Sequence, residues 1–268
     1  MRFKSVGECI YCGDHSDKLS DEHIIAYGLG GEDVLPHASC KSCQNITSKF
    51  ELEVLRRELL QVRTKLELPS RKSSLPKELP ITVKLGDEAK TFNLPRQKHP
   101  TLLNCLLYPP PGVLGGNTPE KGINIIGAQL CQIGGPSLKE TLRDLGSNTI
   151  EFGQSSLGNE FEKMLAKIAL GYAVAEYGIN AVRSSPLKSI ITGKTENVGH
   201  WIGSGVFRPV YGKKFHRVIL QKTGNWLFTR IYLFAGMPEY IAIVLEGDSK
   251  TKPSILYGDN SILNSVSP

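Results

Sequence analysis

The chain of 268 residues has no apolar run of about 18 or more residues, so it contains no obvious membrane span. Its first residues turn straight into the polar pair Gly7-Glu8, which predicts that no signal peptide is present and that the protein is cytoplasmic. No internal repeat is visible. Hydrophobic residues make up 40% and charged residues 22%, which excludes the disordered class and predicts an ordinary globular protein.

Cysteine is scarce but unevenly placed, since four of the six cysteines form two C-x2-C pairs. In a chain without an export signal, such pairs favour metal binding over disulfides. Cys105 and Cys131 have apolar neighbours, and we expect them to be small buried hydrophobic residues. Four thiolates are the ligand set of a closed, tetrahedral structural zinc site, here predicted at Cys9, Cys12, Cys40 and Cys43.

The two pairs are separated by 27 residues, more than the roughly 15–20 that a simple zinc ribbon would have. The centre of this interval holds Asp21-Glu22-His23. One interpretation is a structural zinc module with a Glu-His pair on its surface. The other is a nuclease site held in shape by zinc.

Hydrophobic spacing and turn residues divide the chain into a first unit at 5–68, a linker at 69–80 and a second unit at 81–268. In the first unit, Leu19–Ile25 is predicted to be a short strand. A helix is predicted from about Phe50 to Leu66, where apolar residues recur every three or four positions, and Pro69 is expected to stop it.

The second unit is predicted to be α+β with an antiparallel sheet. A strong helix is expected from Phe161 to Tyr172, with Gly178 in the left-handed conformation at its end. The predicted strands are 81–85 and 90–94, which form a hairpin, then 123–126, 217–220, 226–234 and 240–245.

The order of motifs over residues 9–52, about a fifth of the chain, resembles the HNH endonuclease family. The resemblance is to a branch with two zinc-binding C-x2-C pairs around an E-H-I-I motif. The matching residues are Cys9, Cys12, Gly13, Glu22, His23, Ile24, Ile25, Gly28, Leu29, Gly30, Gly31, Leu35, Pro36, Ala38, Cys40 and Cys43.

This resemblance implies a small ββα-metal domain in which zinc fixes the shape and takes no part in catalysis. His23 matches the general base that takes a proton from water. Glu22 matches a ligand to one hard divalent ion, Mg2+ or Mn2+, that would stabilise the leaving oxygen of a phosphodiester. Asp21 is interpreted as a strand-entry residue.

Three positions depart from the family pattern, of which the smallest change is Ala26, where the family has Pro after His-Ile-Ile. Gln44 follows the fourth cysteine, where many members have His or Asn as a second ligand to the divalent ion, and Asn45 lies one residue further on. The residue that orients the base has no Asn match, which leaves His37 or Asp33 as candidates. We therefore take His23, Glu22, Asn45 and His37 as catalytic candidates, with Glu22, Gln44 and Asn45 as ligands to the divalent ion.

Positive charge is concentrated in residues 183–222, which carry eight Lys/Arg against Glu196 alone, whereas residues 1–75 carry 11 of each sign. A basic segment with interleaved aromatic residues suits a phosphate backbone, so we expect it to contact nucleic acid, with DNA favoured over RNA. The oligomeric state stays open.

These observations predict a metal-dependent HNH endonuclease in which 81–268 positions the nucleic acid. The alternative is a non-catalytic, zinc-containing nucleic-acid-binding protein with a degenerate HNH site, which the Gln44-Asn45 departure favours. A third possibility is a pure interaction module, which the neutral charge of residues 1–75 keeps open.

Overall fold

Two short strands and a helix form the N-terminal part of the computed structural model. Strand β1 (Ser20–His23) pairs antiparallel with β2 (Val34–Ser39), and Cys40 then opens helix α1 (Lys41–Arg56). The predicted strand is therefore present and ends at His23. The structure describes residues 1–71, 74–151, 158–205, 215–234 and 237–253.

The helix predicted as far as Leu66 is broken in two. After α1, the chain turns and resumes as α2 (Leu60–Lys65). The buried side chain of Arg63, on α2, donates hydrogen bonds to the backbone carbonyls of Leu55 (3.0 Å), Gly28 (2.7 Å) and Pro69 (3.1 Å). A guanidinium that satisfies freed carbonyls stabilises the end of a helix, which accounts for the break.

Two small sheets follow. Strands β3 (Glu78–Leu85) and β4 (Glu88–Pro95) form the predicted hairpin. Strands β5 (Thr101–Leu107) and β6 (Gly127–Gly134) form a second antiparallel pair, and the short β7 (Ile150–Glu151) adds to β3. The prediction of a strand at 123–126 is wrong, because these residues lack strand pairing and Ile125 and Ile126 are exposed.

Short helices separate these strands from the last part of the chain. Helix α3 (Gly112–Gly115) follows β5, and α4 (Leu138–Asp144) follows β6. The start of α4 is a capping box in which Ser137 and Glu140 satisfy each other's backbone N–H groups.

The strong helix is α5 (Glu160–Tyr177), as predicted. Gly178 ends it with φ 77° and ψ 161°, so its φ is positive but its ψ is not that of the left-handed helix. Two short helices follow, α6 (Leu187–Ile191) and α7 (Val198–Trp201).

The C-terminal sheet is antiparallel and has the order β8-β11-β10-β9. Three of its strands match the predicted meander, and β8 was not predicted. The strands are β8 (Ile202–Ser204), β9 (His216–Thr223), β10 (Trp226–Leu233) and β11 (Tyr240–Leu245).

Helix α5 lies at the centre of the main hydrophobic core. It packs against α1 on one side and against α6 and the C-terminal sheet on others. This core is a single cluster of buried residues whose members range in sequence from Cys9 to Val244, so the N-terminal residues share it with the later elements. The division at 69–80 stays a prediction, whereas the α+β class with antiparallel sheets is confirmed.

Within the described ranges, the structure has no helix that combines the length and apolar character needed to cross a membrane.

Candidate functional site

The four cysteines predicted to bind zinc lie together. Their sulfur atoms are all within 4.8 Å of one another, and the Cys12 and Cys40 Sγ atoms are 3.6 Å apart. With a Zn–S bond of about 2.3 Å, the edge of a regular tetrahedron is about 3.8 Å, so the residues fit a structural zinc ion.

Local structure explains why the cysteines converge. Cys9 and Gly13 close a tight turn, in which the Gly13 N–H donates to the Cys9 carbonyl (2.8 Å) and Gly13 has φ 81°. Cys40 and Cys43 stand at the start of α1. Burial acts to raise the pKa of both thiols. For Cys40, hydrogen bonds with Ser42 and the Cys43 backbone N–H outweigh burial and lower the pKa to about 6, whereas the pKa of Cys43 is raised.

Two positively charged side chains, Arg183 and Lys188, lie near the turn at Cys9–Gly13. Arg183 donates two hydrogen bonds to the buried Glu8 carboxylate, at 3.0 Å and 2.7 Å. Lys188 on α6 is half-buried, which lowers its pKa, while the nearby charges of Glu8, Cys9 and Cys12 act in the opposite direction. Arg183 and Lys188 were both expected to contact nucleic acid, and they instead lie against the N-terminal residues around Glu8 and Cys9.

The remaining positive charges of 183–222 differ in their exposure to solvent. Lys194 and Lys222 are exposed, and Arg217 is half-buried on β9. Arg208, Lys213 and Lys214 lie outside the described residues.

His23 lies at the end of β1 with its two ring nitrogens in different environments. Nδ1 is 3.3 Å from the Gly31 carbonyl oxygen, and Nε2 is 3.2 Å from Nη2 of Arg71. Because a carbonyl only accepts, this geometry assigns the ring proton to Nδ1 and leaves the Nε2 lone pair to accept from Arg71. Burial, together with the positive charges of Arg71 and Lys167, lowers the pKa of His23 and favours the neutral imidazole.

Gly31 is required for this arrangement. A Cβ at this position would lie 2.0 Å from the backbone oxygen of Ile25, so only glycine allows the loop to pass so close to β1. Tyr27 completes the surroundings: its ring meets His23 edge-on at 5.8 Å, and the Arg71 guanidinium lies 4.9 Å above the Tyr27 ring centroid.

Glu22 lies on the other side of β1, in the core. Its Oε1 is 2.8 Å from Nζ of Lys167 on α5, and the same Nζ is 2.6 Å from Oε1 of Glu51 on α1. Lys167 also donates to the backbone carbonyl of His23. Burial raises the pKa of Glu51; for Lys167 burial acts to lower the pKa, but the two carboxylates outweigh it and raise the pKa above its ordinary value.

The other predicted site residues have separate partners. Oε1 of Gln44 accepts from Nζ of Lys41 at 3.2 Å, and Asn45 is exposed on α1. His37 is exposed, has a positive φ of 50° and contacts Ser5 through Nδ1 at 3.0 Å. Among the described contacts, none joins Gln44, Asn45 or His37 to His23.

Asp21 and Asp33 bind the N-terminal residues. Asp21 pairs with Arg2 at 2.8 Å and accepts from the His37 backbone N–H, which suits a strand-entry role. Asp33 pairs with the N-terminal ammonium of Met1 at 3.0 Å and accepts from the Tyr172 hydroxyl at 2.6 Å.

Sequence reasoning missed Glu51, Arg71 and Lys167. The one available signal was Lys167 itself, a lone charge inside the apolar run Met164-Leu165-Ala166-Lys167-Ile168-Ala169 of a helix. Such a charge needs a buried partner, but the sequence does not say which acid provides it. Arg71 lies in a polar segment that carries no comparable signal.

No protein-family model, no curated protein and no solved structure matches this chain.

Proposed function

We propose that the chain is an HNH-type endonuclease that hydrolyses phosphodiester bonds in nucleic acid, with DNA as the favoured substrate. Two observations support the family: the strand-strand-helix order around His23, and the four-cysteine cluster that fits zinc. This arrangement is the one expected of a ββα-metal domain at residues 5–68.

The observation that carries the proposal is the state of His23. A neutral imidazole with its proton on Nδ1 presents a basic Nε2, and this nitrogen faces Arg71 rather than the core. In the proposed reaction, Nε2 takes a proton from water while the water oxygen attacks phosphorus. The bond from phosphorus to the 3′ oxygen breaks, and that oxygen leaves with a proton from solvent.

Arg71 has two roles in this proposal. Its guanidinium hydrogen-bonds Nε2 of His23, and guanidinium groups also bind phosphate oxygens in bidentate fashion. A bound phosphate would draw Arg71 away from the imidazole, which frees Nε2 at the moment when a substrate is present. Tyr27, 40% exposed beside Arg71, offers a ring on which an unstacked base can pack.

The resemblance assigns a divalent ion, Mg2+ or Mn2+, to Glu22 with Gln44 or Asn45. The residues present do not fit this ion, because Glu22 is bound to Lys167 and Gln44 to Lys41. We therefore derive no step through it. A zinc ion bound by the four cysteines would hold the turn at Cys9–Gly13 against the start of α1.

Plasmid cleavage tests the proposal. Purified protein with one bound zinc is incubated with supercoiled DNA, single-stranded DNA and RNA, in buffers with Mg2+, with Mn2+ and with neither. We expect nicking by the wild type and a loss of about 10²–10⁴-fold in His23→Ala, since a general base contributes about that much. Arg71→Ala should also lose activity, whereas the exposed Arg143→Ala serves as the matched control. Unchanged cleavage by His23→Ala would refute the proposal.

A non-catalytic nucleic-acid-binding protein is the second candidate, and the pairing of Glu22 with Lys167 favours it. Absence of cleavage in every buffer, combined with retention of DNA that weakens steeply with salt, would decide for this candidate. Absence of both would decide for an interaction module.

A further inference from the structure

The Lys167 ammonium is surrounded by oxygens: it forms ion pairs with two carboxylates and donates a hydrogen bond to one backbone carbonyl. An ammonium has three N–H donors, and its Nζ meets three oxygens: one each from Glu22 and Glu51 and the backbone carbonyl of His23. The side chain is only 1% exposed, so no water replaces these contacts. Two carboxylates and a carbonyl are also the oxygen ligands that a hard divalent cation prefers.

The approach of α5 to β1 depends on a glycine. Gly171 lies one turn after Lys167, and a Cβ there would be 2.9 Å from Cγ2 of Ile24, the residue that follows β1. Glycine at this position lets the helix come close enough for the lysine stem to reach the acids.

From this geometry we infer that the Lys167 ammonium stands in the place of a divalent cation. It binds the oxygens of Glu22, Glu51 and His23 that would otherwise bind a divalent ion. Two consequences follow. The wild-type chain binds no Mg2+ or Mn2+ through Glu22, and removal of the ammonium alone converts the same oxygens into a divalent-cation site. The inference concerns only Lys167 and these three oxygens, and it holds whether the chain cleaves nucleic acid or only binds it.

Electrostatics support the second consequence. Without Lys167, two buried carboxylates would face each other with no compensating charge, which is costly in a low-dielectric interior. They can relieve this cost by taking up a proton or by binding a cation. At neutral pH and with millimolar Mn2+, the cation is the better partner because it satisfies both carboxylates at once.

Titration with Mn2+ followed by electron paramagnetic resonance tests the inference. Mn2+ is a hard ion that prefers oxygen, so it leaves zinc in the four-cysteine cluster and loses the sharp spectrum of the free ion when it binds. The proteins are the wild type, Lys167→Met, the double variant Lys167→Met/Glu22→Gln and the control Lys163→Met. Lys163 lies on the same helix one turn earlier and is half-exposed.

We expect the wild type and Lys163→Met to bind no Mn2+ beyond the level of a non-specific protein. Lys167→Met should bind about one ion per chain with a dissociation constant on the order of 10⁻⁴ M, and Glu22→Gln in the double variant should weaken it at least about tenfold. Circular dichroism and zinc content confirm that each protein is folded.

Two results would overturn the inference. One is a wild-type Mn2+ site that Glu22→Gln abolishes, and the other is a folded Lys167→Met that gains no binding. If Lys167→Met does not fold, Lys167→Gln replaces it, because the amide keeps two donors. If neither folds, the wild-type titration alone decides: no Glu22-dependent Mn2+ supports the inference and its presence overturns it.

Discussion

The two sides of strand β1 place neighbouring residues in opposite environments. His23 is half-buried beside an exposed tyrosine and accepts from Arg71, whereas Glu22 is 7% exposed and pairs with a lysine that is 1% exposed. In sequence, these two residues form one acid-histidine motif. In the structure, the histidine belongs to a surface site and the acid belongs to the core, because successive side chains of a strand point to opposite faces.

The two cations that contact these residues differ in energetic weight. A guanidinium near the surface is screened by solvent and contributes little to stability, but it is free to move to a ligand. A buried ammonium is held by desolvated charges, so its loss leaves those charges without a partner. The His23 side is therefore suited to function and the Glu22 side to structure.

Removal of zinc is expected to have the largest effect, because it should disrupt both the His23 side and the Glu22 side of β1. Cys43→Ser removes one of four ligands, and structural zinc in small domains contributes about 10–16 kcal/mol of binding free energy. We expect the variant to lose its one zinc, measured by elemental analysis, and to lose near-ultraviolet circular dichroism. Cys131→Ser, at a half-buried cysteine outside the cluster, is the control. A Cys43→Ser protein that retains one tightly bound zinc would contradict the assignment.

Lys167→Met should destabilise only the buried side of β1, where Glu22 lies. The variant leaves Glu22 and Glu51 buried without their cation, and removal of one partner of a buried ion pair costs about 3–5 kcal/mol. Urea unfolding without divalent ions measures this loss, with Lys163→Met as control. Adding Glu22→Gln and Glu51→Gln should restore part of it. A loss under about 1 kcal/mol would mean that the ammonium is not a structural partner of the two acids.

Glu162 sharpens the comparison, because this buried acid is held by the Tyr108 hydroxyl rather than by an ammonium. Burial raises its pKa to about 7, from 4.5 in the unfolded chain. The folded state therefore binds this proton more readily, and the stabilisation is full below about pH 4.5 and is lost as pH rises through about 7.

Glu162→Gln removes this titration and keeps an acceptor for Tyr108. Relative to the wild type, the variant should gain up to about 3 kcal/mol in unfolding free energy between pH 4.5 and pH 8. Urea unfolding across that range gives the difference. A difference that is constant with pH would show that Glu162 titrates normally.

His23→Ala should have the smallest effect on stability, since the side chain is partly exposed and its bond to the Gly31 carbonyl is long at 3.3 Å. We expect a loss of less than about 1 kcal/mol in urea unfolding. The same variant should lose about 10²–10⁴-fold in cleavage. A loss comparable to that of Lys167→Met would place His23 in the core structure and weaken its assignment as a base.

Local signals sufficed for much of the fold. The four cysteines, the 81–94 hairpin, α5 and three strands of the C-terminal sheet are encoded by spacing, alternation and turn residues close in sequence. The break after α1 was missed because it is accompanied by contacts of the Arg63 side chain with the Leu55 carbonyl on α1 and with the distant Gly28, which no local pattern shows. Residues 123–126 have strand propensity but no partner strand.

For the candidate site, the sequence predicted the four cysteines that converge in the structure, and it predicted His23 as a base, but it did not indicate the partners of Glu22. Lys167 is far along the chain, and Arg71 lies in a segment predicted to be a linker. The basic segment 183–222 was interpreted from its charge and its interleaved aromatic residues, yet Arg183 pairs with Glu8. Charge composition indicates a possible partner only when the structure leaves the charge free to meet it.

The position of Lys167 in the chain also affects how the protein is made. Ribosomes add about 5–20 residues per second, so on the order of ten seconds separate the synthesis of Glu51 from that of Lys167. During that interval the nascent chain displays Glu22 and Glu51 without the ammonium that pairs with them in the folded protein. The N-terminal strands and α1 complete their packing only after α5 has emerged, so the last steps of folding await a segment translated well after the motif that looks self-contained.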